Sequence, residues 1–62
     1  MEKWSPLAGK VPVRVEAAIR RAYKQGRITK PLNELTDKEI LSVRNIWVTS
    51  LQQIREVVRE KY

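Results

Sequence analysis

The chain is expected to fold as an all-α domain, and three observations carry that expectation. Apolar residues recur at helical spacing in two long stretches, nothing alternates in the manner of a strand, and two Thr-x-x-Glu/Gln boxes mark helix starts. Sixty-two residues make one small domain. A chain of this length buries only about 60% of the surface its unfolded form exposes. The expected architecture is a compact four- to five-helix domain containing a helix-hairpin-helix element.

Residues 1–12 hold Pro6, Gly9 and Pro12 with no apolar periodicity, so they read as a flexible N-terminal arm, with 13–62 as the single helical domain. Trp4 is the residue that would pin this arm to the body. From Val13 a helix is expected to about Gln25. Val15, Ala18, Ile19 and Ala22 recur on one face, Pro12 suits the first turn, and Gly26 supplies a stop. The opposite face collects Arg14, Ala17, Arg21 and Lys24, with Arg20 close by. Tyr23 borders the apolar stripe as a core-edge residue.

Residues 26–31 read as a connector from which Ile28 can dip into the core, and residues 31–35 as a single short helical turn. Thr36-Asp37-Lys38-Glu39 is a capping box, in which the threonine oxygen accepts a free N–H and the glutamate reaches back to the cap. Ile40, Leu41 and Val43 are then expected inward. A second box, Thr49-Ser50-Leu51-Gln52, is expected to start the last helix. There Leu51, Ile54, Val58 and Tyr62 would line one side, with Val57 on its flank. The two helices would meet in a hairpin with its tip at residues 45–49. A tight turn feeding a fresh helix leaves N–H groups pointing outward at its positive pole, which suits a phosphate oxygen.

Charge is concentrated. Residues 10–30 carry seven basic side chains against Glu16 alone, which accounts for the whole net charge of +6. A one-sided field of this kind attracts polyanions, nucleic acid above all, and weakens with salt; the plainer alternative is a solvated basic helix that aids solubility. Cysteine and histidine are both missing from the sequence. That removes disulfides, zinc sites built on sulfur or imidazole, and thiol or imidazole catalysis. Glu56, Arg59 and Glu60 read as an exposed ion-paired face, and a domain this small offers little room for a carboxylate cleft. No enzyme, cofactor, metal or small-molecule substrate is expected. With no apolar run of about 18 residues and no apolar leader after Met-Glu-Lys-Trp, the expectation is a cytoplasmic protein without a membrane partner.

The order of elements resembles a known family. A basic helix opening Val13-Arg14, a Leu32-x-x-Leu35 connector, a short capped helix and then Arg44-Asn45-Ile46-x-x-x-Ser50-Leu51-x-x-Ile54 are similar to the C-terminal domain of the bacterial RNA polymerase alpha subunit. The likeness spans residues 11–60 and is sharpest over 41–54. It implies a SAM-like helical fold with a helix-hairpin-helix element, weakly sequence-selective binding to the minor groove of double-stranded promoter DNA, and docking of RNA polymerase or transcription regulators. Position by position, it implies that Arg14 enters an A·T-rich minor groove, whose narrow form concentrates negative potential. Asn45 and Ser50 would hold phosphates, with Arg21 and Lys24 also on the backbone. The chain departs from the family at Ala17, where an asparagine is usual, at Val48 and Thr49, which replace a basic pair, and at Gln53, which replaces an acid. Trp47 stands where the family has the hairpin glycine, and tryptophan dislikes the left-handed backbone that glycine permits. Its ring fills the core, or lies outward as an anchor for a protein partner together with Val48, or is a substitution peculiar to this chain.

Overall fold

The structure, a computed structural model, describes residues 2–62. Three α-helices follow one another: α1 (Val13–Lys24), α2 (Asp37–Leu41) and α3 (Val48–Lys61), with 3₁₀ turns at Ser5–Leu7 and Leu32–Glu34. No strand occurs among the described residues. The protein is all-α, but the described residues form three α-helices rather than four or five, since the two remaining helical segments close only single 3₁₀ turns. No helix among the described residues is long and apolar enough to cross a membrane.

Each of the five segments sends one side chain to the centre. Leu7, Ile19, Leu32, Ile40 and Ile54 are the largest fully buried residues, and they come from the first turn, α1, the second turn, α2 and α3 in order. Val15, Ala18, Ala22, Ile28, Leu35, Val43, Ile46, Leu51 and Val57 complete the core. In so small a domain no element can be lost without opening the centre.

The leader is not the flexible arm that its composition suggests. Leu7 is fully buried, and the turn that carries it packs against α3. Trp4 lies against Tyr23 with ring centroids 5.9 Å apart, and the Lys3 ammonium donates to the Thr29 carbonyl at 2.6 Å. A single leucine escapes a periodicity search yet supplies as much core as any helical position.

Local chemistry sets the helix ends. At the end of α1, Gly26 takes a left-handed φ of 74°, its N–H donating to the Tyr23 carbonyl at 3.1 Å while the Arg27 N–H reaches the Ala22 carbonyl at 3.0 Å. This is a Schellman turn, and it folds the chain back beside the helix it has just left. The Thr36 box forms as expected. The Glu39 N–H donates to Thr36 Oγ1 at 3.1 Å, and the Thr36 N–H donates to Glu39 Oε1 at 2.9 Å. That backbone donor, with the Lys30 ammonium 3.4 Å away, holds the Glu39 carboxyl below its ordinary pKa.

Four apolar assignments shift. Leu41 is 39% exposed at the end of α2, which is too short to turn both Ile40 and Leu41 inward. On α3 the buried residues are Ser50, Leu51, Ile54 and Val57, so Val57 belongs to the core, Val58 is its flank and Tyr62 lies outside. Arg55, from the rim of that stripe, clasps α3 to the start of α2. Its Nε and Nη2 donate to Asp37 Oδ1 at 2.9 and 2.6 Å, and Nη2 also donates to the Leu35 carbonyl at 2.8 Å.

Candidate nucleic-acid interface

The segment between α2 and α3 turns through residues 42–47, and the sharpest point of the turn is Asn45, whose φ is 71°. Asparagine tolerates the left-handed region better than other residues with a Cβ, because its short amide can satisfy local backbone groups. The turn leaves Val43 and Ile46 buried and Arg44 and Asn45 exposed. The side-chain alternation across the bend therefore aims polar groups away from the core.

Trp47 does not occupy the strained position. Its φ of −115° and ψ of 176° are extended backbone that any residue adopts, and it is the N-cap residue of α3. The left-handed conformation has moved two residues upstream to Asn45, which removes the conformational objection to a tryptophan. The ring is 75% exposed and Val48 61% exposed, so Trp47 does not fill the core.

The expected second capping box does not form. The helix begins at Val48, so Thr49 and Ser50 already lie within its first turn and cannot cap it. Ser50 is buried at 8% exposure. The first backbone bond of the helix runs from the Leu51 N–H to the Trp47 carbonyl at 2.9 Å, and no side chain caps the end. The N–H groups of Val48, Thr49 and Ser50 thus have no acceptor within the helix or from a capping side chain at the positive pole, with no acidic residue in that turn. The contrast with α2 is direct. There Asp37 and Glu39 neutralise the first turn and Thr36 caps it.

Arg14, Asn45, Trp47 and Ser50 line one open groove of about 260 Å³. Arg14, second residue of α1, stands across this groove from the uncapped end of α3. Four of the residues singled out by the sequence are therefore brought together by two elements more than 30 positions apart in the chain. Arg21 is not among them. It lines a separate hollow with Gln25, Arg27, Val43 and Arg44. Lys24 is exposed on the last turn of α1 and lines neither, and Val48 is exposed beside the groove without lining it.

The sequence reading missed Arg27 and Arg44 as site residues. Arg44 sits directly before Asn45, but only the bend at Asn45 decides which way it points. Arg27 follows the stop glycine, and only the Schellman turn returns it to α1. Among the described residues no three His, Cys, Asp or Glu side chains gather as a metal site would require. No protein-family model, curated protein or solved structure matches this chain.

Proposed function

We propose that this domain binds double-stranded DNA, with Arg14 entering an A·T-rich minor groove and the uncapped start of α3 resting on the adjoining phosphate backbone. The observation that carries the reading is the shared groove. Arg14, which has no ion-pair partner among the described residues, Asn45 and Ser50 in the uncapped first turn of α3 line it together, without a carboxylate among the lining residues. Arginine suits a narrow minor groove because the negative potential is deepest there, and outward N–H groups at a positive helix pole suit a phosphate. Arg21 and Lys24 extend the positive face along α1. Such contacts read charge and groove width rather than base edges, so sequence preference is weak. The motif likeness over residues 41–54 points the same way, toward a transcription-related domain of the polymerase alpha C-terminal type, and no catalytic role is proposed. Titrating a labelled A·T-rich duplex at about 50 and 200 mM salt tests the reading, because each phosphate contact adds about 0.9 to the salt slope. Binding should be salt-steep, and Arg14→Ala should weaken it and abolish the preference for A·T over G·C duplexes. Binding that ignores salt or Arg14 refutes it.

A second reading has its own support. Trp47 and Val48 form an exposed apolar pair at the lip of the same groove, and exposed tryptophans serve as anchors in protein interfaces. Under this reading the fold docks a transcription partner and has lost duplex affinity. Trp47→Ala would then abolish partner capture while leaving the salt response of duplex binding flat.

A further inference from the structure

The second hollow on α1 has the construction of an anion site. It is bounded by Arg21 from the helix face, Arg27 from the returning Schellman turn and Arg44 from the α2–α3 loop, with Gln25 among them and Ala22 and Val43 behind. Three separate pieces of backbone thus bring arginines to the rim of one space of about 90 Å³. By that measure a single water needs about 10–15 Å³, so the hollow has room for a tetrahedral oxyanion. Ala22 and Val43 are 3% and 6% exposed, so the back wall is apolar and lowers the local dielectric.

None of the three arginines is neutralised. The ion pairs among the described residues are Lys30–Glu39, Arg55–Asp37 and Arg59–Glu56. The acidic side chains have gone elsewhere, and three like charges are left around one hollow. Guanidinium forks match phosphate oxygens in geometry, and several forks on one phosphate exceed what a single lysine supplies.

We infer that the Arg21–Arg27–Arg44 hollow holds a backbone phosphate of the same duplex that Arg14 enters, acting as a second anchor that sets the register of the domain on the helix. The inference rests on the DNA-binding reading above. The two hollows follow one seam: Arg14 and Arg21 lie seven residues apart on the same face of α1, about 10.5 Å at 1.5 Å per residue, and the adjacent Arg44 and Asn45 each line one of them. A nucleic-acid strand running along α1 therefore passes both.

The test is the double variant Arg27→Gln/Arg44→Gln, which keeps the side-chain stems and removes two charges at exposed positions outside the Arg14 groove. Against the labelled duplex it should lower the magnitude of the salt slope by about 0.9, one phosphate contact, and weaken binding about tenfold at low salt. The preference for A·T over G·C should be unchanged, and the thermal midpoint at low salt equal to or above that of the unsubstituted protein, because like charges have been relieved. An unchanged slope and affinity, with Arg14→Ala still effective, overturns the second anchor alone. Failure of the unsubstituted protein to bind duplex overturns both.

Discussion

Leu7→Ala is the sharpest test of how this fold is held together. Leu7 sits in a segment that composition marks as a loose arm, yet it has no exposed surface. Replacing it removes three methyl-sized groups from the core, about 2.4 kcal/mol of transfer free energy at ~0.8 kcal/mol each. The void left beneath α3 adds to this, which brings the total to about 3 kcal/mol, inside the range of about 2–5 kcal/mol for buried leucine truncations. A 62-residue domain has only about 3–9 kcal/mol of stability in all. At ~4–8 °C per kcal/mol for domains of this size, the midpoint should fall by about 20 °C, or the variant should be unfolded at room temperature. Circular dichroism melts and urea titrations read this directly; the urea midpoint should drop with an unchanged slope. Leu41→Ala, at a site 39% exposed, is the internal comparison and should cost less than about 1 kcal/mol. A Leu7 variant that melts within about 4 °C of the unsubstituted protein would refute the assignment of the leader to the core. The consequence reaches the interface, because the turn bearing Leu7 packs on the helix whose start forms one wall of the Arg14 groove.

Three further outcomes follow from the geometry. Asn45→Ala should destabilise by about 1 kcal/mol through its positive φ while Asn45→Gly is close to neutral; duplex titration of the glycine variant then isolates the amide's own contribution to binding. Glu39 has a lowered carboxyl pKa, so it contributes stability above the pKa of the unfolded chain that is lost as pH falls through the folded value. The urea midpoint of the unsubstituted protein should therefore fall more steeply with acidification than that of Glu39→Gln, and parallel curves would contradict the reciprocal cap. Tyr23 runs the other way. Burial chiefly, with a smaller contribution from Tyr62, pushes its hydroxyl up to about 12, and that hydroxyl donates to the Lys30 carbonyl at 2.7 Å. Its neutral form is favoured in the folded state, so this stability is present below the unfolded pKa near 10 and is lost as pH rises toward about 12. Ultraviolet titration of a Tyr62→Phe variant, which keeps the burial but loses the smaller contribution, should show tyrosinate forming only well above the ordinary tyrosine value and together with unfolding.

Much of the helical scaffold could be read from residue order. The apolar face of α1, its stop at Gly26 and the Thr36–Glu39 cap are local features, in which the partners lie within one or two turns of each other and need nothing from the rest of the chain. Ile28 and the turn around Leu32 were legible for the same reason, since apolar residues beside prolines and glycines have few other places to go. The start of α3 was not. The Thr49 box is a valid local signal, but burying Ile46 and Ser50 together requires the chain to enter the helix earlier, and that packing outweighs a cap worth about 1 kcal/mol.

The candidate site divides along the same line. Residue order alone marks α1 as a cationic helix and residues 42–47 as a bend, because charge and turn propensity are properties of short stretches. Whether the two face each other depends on how Leu7, Ile19, Ile40 and Ile54 meet in the centre, since those contacts set where each helix axis lies. Docking of α1 against the loop is what places Arg14 with Asn45 and Ser50 and gathers Arg21 with Arg27 and Arg44. Contacts between residues so far apart along the chain depend on the geometry of the whole core, and no local pattern encodes them.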